Sequence, residues 1–83
     1  MRFGLSENSI DKIIAVLEQQ PKVDKAIIFG SRAKGNYKEG SDIDIALKGM
    51  ELTTKDILNL YTKLEEQSLA YKFDLIRVRF QMK

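Results

Sequence analysis

The chain contains no cysteine and no histidine. Without cysteine, disulfides and thiolate metal centres are excluded; without histidine, the usual zinc ligand and the usual general base are missing too. Any metal bound here must be a hard cation held by oxygen, which narrows the choice to magnesium, manganese or calcium. A strong charge of one sign is also lacking. The 14 basic and 12 acidic residues leave a net charge of +2, and the basic residues are scattered, so no nucleic-acid partner is expected. No apolar run approaches the length of a membrane span, and Met1-Arg2-Phe3-Gly4-Leu5 lacks the apolar segment of a signal peptide. The expectation is a cytoplasmic protein with no membrane partner.

The composition is that of a folded protein: 43% hydrophobic and 31% charged over 83 residues. That length allows a single domain, residues 1–83, near the size at which one core is barely sufficient. Stability is therefore expected to lean on bound ligand or on a partner in a homo- or hetero-oligomer. Ile10, Ile13, Ile14 and Leu17 recur at helical spacing, with Ser6 or Asn8 as N-cap and Pro21 as terminator, which predicts a helix over about 7–20. A strand over 22–29 follows, then a turn with one short helical segment at 31–34, a loop, and a second strand over 42–48. Thr53-Thr54-Lys55-Asp56 resembles a capping box, and Ile57, Leu60, Tyr61 and Leu64 continue from it, so a second long helix is expected over about 54–69. A third strand, 71–80, has Phe73, Leu75 and Arg77 on one face and Asp74, Ile76 and Val78 on the other. This order predicts an α/β fold: a small mixed β-sheet with helices packed on it.

The densest chemistry lies in Gly30-Ser31-Arg32-Ala33-Lys34-Gly35-Asn36-Tyr37-Lys38-Glu39-Gly40-Ser41-Asp42-Ile43-Asp44. Ala26-Ile27-Ile28-Phe29 reads as a buried strand, so Gly30 and Ser31 fall where a strand ends and backbone N–H groups become free to bind phosphate. Asp42 and Asp44 alternate with Ile43 and Ile45, which sets both carboxylates on one face and the isoleucines on the core face. Carboxylates about 7 Å apart along a strand can serve a pair of divalent ions. Asp74 is the candidate third ligand. It is the only acidic residue of its strand, flanked by Phe73 and Leu75, where an unpaired charge is costly. Ser31 and its neighbouring N–H groups would hold the terminal phosphates, and Arg32 or Lys34 would offset charge on a leaving group. A P-loop is rejected, because Ser41-Asp42 stand after Gly40 where lysine and a hydroxyl residue are required. An EF-hand is rejected because the acidic residues alternate within a strand pattern and lack the loop's terminal glutamate.

The pattern Gly-Ser, ten residues, Asp-x-Asp and a later strand aspartate resembles the nucleotidyltransferase superfamily that includes DNA polymerase beta. More narrowly, Gly30 to Gly35 with Ser41 to Leu47 is similar to the minimal nucleotidyltransferases, the MNT or MntA-like antitoxins that accompany HEPN-domain toxins. The resemblance spans about residues 10–79. It implies that Gly30 and Ser31 bind the triphosphate, that Asp42 and Asp44 hold two Mg²⁺ ions, and that Asp74 is the third metal ligand and the base. It also implies transfer of AMP from ATP to a tyrosine hydroxyl of the HEPN partner, silencing its ribonuclease. Neutralisation by contact alone would use the same fold and the same motifs, and no motif names the acceptor. Family members continue past the third strand with a further helix, whereas this chain stops at Arg79-Phe80-Gln81-Met82-Lys83. The resemblance therefore implies a domain shortened at its C-terminus.

Overall fold

The computed structural model describes residues 3–38, 40–69 and 71–78. Helix α1, Glu7–Glu18, starts at Ser6, whose hydroxyl accepts the Ser9 N–H at 3.1 Å; of the two candidate caps this is the one used. It ends before 20. Pro21 disfavours helical geometry at the residue ahead of it, and the N–H groups of Gln19 and Gln20 close a tighter turn onto Val16 and Leu17. Gln20 then engages the next stretch, taking the Lys22 N–H on its side chain and the Val23 N–H on its carbonyl. Strand β1, Lys25–Phe29, therefore begins three residues later than the pattern suggested.

A four-residue helix α2, Ser31–Lys34, leads through a loop to β2, Ile43–Lys48. Helix α3, Thr54–Glu65, opens on a reciprocal capping box in which the Thr53 hydroxyl accepts the Asp56 N–H and Asp56 accepts the Thr53 N–H. It stops at 65 rather than 69, because Ser68 takes a left-handed conformation at φ 56°. Strand β3 is Phe73–Val78; the predicted continuation through Phe80 lies outside the described residues.

The sheet has order β1-β2-β3, with β1 antiparallel and β3 parallel to the central β2. The mixed sheet and its helices are those the sequence predicts. Ile43, Ile45 and Leu47 project from one face of β2 into a core completed by Leu5, Ile10, Ile13, Val16, Leu60, Leu64 and Phe73. Asp44, Ala46 and Lys48 project from the opposite, outer face. Two expectations fail locally. β1 is an edge strand rather than a buried one, leaving Ala26 and Ile27 exposed, and Ile14 sits on the rim of α1 rather than in the core.

Candidate functional site

Register brings one row of the sheet together on the outer face. Phe29 of β1 lies opposite Asp44 of β2, and Asp44 lies beside Asp74 of β3. Adjacent strands are about 4.8 Å apart and paired residues share a face, so the Asp44 and Asp74 side chains leave the sheet as neighbours. Asp42 immediately precedes β2, about 7 Å upstream of Asp44 along the chain, with Ile43 between them turned into the core. Asp42 and Asp74 are exposed and Asp44 is half-buried. None of the three takes a hydrogen bond or an ion pair from a described residue.

Gly30 explains how Asp44 is accommodated. It leaves β1 at φ 78° and ψ −149°, a region essentially reserved for glycine. A Cβ at this position would overlap Oδ2 of Asp44, so the missing side chain is what lets the carboxylate lie against the backbone. The Lys34 N–H donates to the Gly30 carbonyl at 3.1 Å and opens α2, leaving the N–H groups of the first turn, Ser31 included, without intrahelical acceptors. The glycine-serine turn and the Asp44–Asp74 pair thus adjoin each other.

The donor set fits a hard divalent cation: it is all oxygen and accessible, and it includes a half-buried carboxylate that no described residue pairs with a counter-charge. The three carboxylates do not gather into one cluster. Among the described residues no group of three or more acidic side chains is close enough to hold a single ion. The arrangement is an adjacent pair with Asp42 set apart.

Arg32 stands elsewhere than the sequence suggested. Rather than facing the phosphate turn, it is buried at 3% exposure, with Nη1 donating to the Phe3 carbonyl at 2.8 Å and Nη2 and Nε to the Ser41 carbonyl at 2.9 and 3.3 Å. The rings of Tyr37 and Tyr71 lie 5.1 and 5.0 Å from its Cζ. Lys34 is exposed. Tyr61 is a residue the sequence gave little reason to place here. The Glu65 carboxylate one turn on raises its pKa, by repulsion and by accepting its hydrogen bond, and partial burial and the field of Asp42 add to this. Its phenol thus stands within the electrostatic field of Asp42. Only the fold reveals that, since nothing in the helical pattern of α3 points to Asp42. An apolar cleft of about 390 Å³, lined by Ile13, Ile14, Leu17, Ala26 and Ile28 among others, opens between α1 and β1, away from the acidic row.

A three-stranded mixed sheet with a glycine-serine turn beside paired strand aspartates is the framework of a nucleotidyltransferase domain. The family described as "Polymerase beta, Nucleotidyltransferase" matches residues 11–83, and the chain belongs to that family. A Methanocaldococcus jannaschii protein provisionally named a protein adenylyltransferase is 37% identical over 60 residues, 70% of this chain and 59% of that protein. A crystal structure of a toxin–antitoxin with AMP-PNP contains a chain that superposes with a TM-score of 0.67 at 32% identity, over 94% of this chain and 61% of that one. A crystal structure of a Sulfolobus solfataricus protein, provisionally described as a nucleotidyltransferase, aligns at a TM-score of 0.48 and 24% identity over 89% of this chain and 76% of its own. The chain spans about three fifths of the length of the first two.

Proposed function

We propose that this domain transfers AMP from ATP to a hydroxyl of a protein partner, and that the partner is a HEPN-domain toxin which the transfer silences. The observation that carries this reading is the pairing of Asp44 with Asp74 beside the Gly30-Ser31 turn. The toxin–antitoxin setting of one structural neighbour and the provisional name of the Methanocaldococcus jannaschii relative support it.

In this reading the first-turn N–H groups and the Ser31 hydroxyl hold the β- and γ-phosphates, and Asp42, Asp44 and Asp74 hold two Mg²⁺ ions. Those ions, when bound, neutralise the triphosphate and acidify the acceptor hydroxyl. The acceptor oxygen bonds to the α-phosphorus, the bond from that phosphorus to the β-bridging oxygen breaks, and pyrophosphate leaves with the electron pair. The hydroxyl proton passes to Asp74. The carboxylates stand on an outer sheet face, so the partner brings its own surface to the nucleotide.

A second reading has its own observation. The three carboxylates are not gathered into one cluster, which suits an antitoxin that neutralises its partner by contact and keeps only a vestige of nucleotide binding. Asp44→Asn separates the two, because it removes a metal ligand without altering the docking surface. Transfer predicts a variant that still co-elutes with the toxin but no longer protects cells from it; protection retained by the variant contradicts transfer.

A further inference from the structure

Among the described residues Arg32 is the only charged or polar side chain in the buried set, yet the partners described for it are two main-chain carbonyls and two aromatic rings rather than a carboxylate. Burying a guanidinium is costly, and neutral carbonyls repay less of that cost than an ion pair would. Its location indicates what the burial achieves. The Ser41 carbonyl that receives both Nη2 and Nε belongs to the residue immediately before Asp42. The Ser41 hydroxyl in turn accepts the Lys38 N–H at 2.8 Å, and the Ser41 N–H donates to the Lys38 carbonyl at 2.9 Å, which closes the loop from its other side. Tyr71 stacks near the same guanidinium three residues ahead of Asp74, and the Ile43 N–H donates to the Lys72 carbonyl at 2.8 Å, which ties the two strand entries together.

From this geometry we infer that Arg32 is a positioning residue for the metal-binding carboxylates: it fixes the peptide that presents Asp42 while leaving the carboxylates themselves unpaired. An arginine aimed at Asp42 would occupy the oxygens a cation needs. One aimed at the carbonyl before it sets the backbone and competes for nothing. Lysine cannot replace it, because reaching Phe3 and Ser41 together takes a planar fork of donors. The inference rests on the proposed metal role of Asp42.

The test is Mn²⁺ titration of the folded chain, read from water-proton relaxation, in the parent, Arg32→Lys, Asp42→Asn and the double variant. The expected result is about tenfold weaker Mn²⁺ binding in Arg32→Lys, and no further loss when Arg32→Lys is added to Asp42→Asn, because Arg32 acts through Asp42. Unchanged affinity in Arg32→Lys would overturn the inference, as would the same loss in the Asp42→Asn background, the mark of a merely structural role. A parent that binds no Mn²⁺ sinks the metal role and this inference together, whereas binding indifferent to Arg32 sinks only the latter. Should Arg32→Lys fail to fold, Tyr37→Leu removes one ring from the guanidinium and is expected to give the same Asp42-dependent loss with smaller amplitude. No loss in Tyr37→Leu, or an equal loss in the Asp42→Asn background, would count against the inference.

Discussion

Gly30 is the position at which one methyl group decides whether Asp44 keeps its place. Gly30→Ala forces an alanine into a glycine-only backbone region and drives its Cβ into Oδ2 of Asp44. The expected cost is on the order of 1–3 kcal/mol in urea unfolding, together with weakened Mn²⁺ binding, because the carboxylate must move. Asp44→Asn leaves the packing intact and is expected to reduce transfer by more than the ~10–100-fold typical of altering a group outside the ligand shell. Steady-state transfer rates check this. At this scale the candidate residues Gly30, Ser31, Asp42, Asp44 and Asp74 are read from the chain, and the fold then sets Asp44 beside Asp74. The orientation of Arg32 could not. Its neighbour Ser31 argued for the phosphate turn, but the carbonyls that claim its guanidinium, from Phe3 and Ser41, are brought to it only by the fold.

At the scale of elements, each of the six segments follows from pattern and capping, and the errors fall at ends and edges. Helix α3 is the most explicit, with a reciprocal capping box at its start. Thr53→Ala is expected to cost about 1 kcal/mol in thermal or urea unfolding with little effect on transfer, because the cap lies outside the acidic row. Asp56 gives this cap a pH dependence. The backbone hydrogen bond from Thr53 is the main cause of its lowered pKa, with the Thr53 side chain and Lys22, 3.4 Å away, adding to it against a partial-burial effect. A carboxyl lowered in the folded state stabilises it above the unfolded pKa, about 4, and that contribution fades as pH falls through the folded value. Asp56→Ala should thus be less stable than the parent at pH 7, with the gap narrowing below about pH 4 in urea unfolding. β1 shows the limit of reading elements from sequence. Ala26-Ile27-Ile28-Phe29 is apolar enough for a central strand, but strand order is set by long-range pairing, and the order β1-β2-β3 leaves this strand at an edge.

For the whole molecule, a sheet of three strands backed by two long helices must hold itself together around one core while the acidic row stays accessible. Leu47, fully buried in the central strand, is expected to cost about 2–5 kcal/mol when changed to alanine, a large part of the ~5–15 kcal/mol that small domains possess. Nucleotide should act in the opposite sense. If Mg²⁺ and ATP bind the folded state alone, ligand at a hundredfold its Kd adds about 2.7 kcal/mol, so Tm should rise with ligand concentration in the parent and much less in Asp44→Asn. The most direct measurement supplies a HEPN-domain toxin, Mg²⁺ and ATP labelled at either the α- or the γ-phosphate. Label from the α-phosphate alone, appearing on the toxin with the parent chain and not with Asp44→Asn, is the predicted result. Label from the γ-phosphate, or no label while the complex still forms, would contradict nucleotidyl transfer by this site.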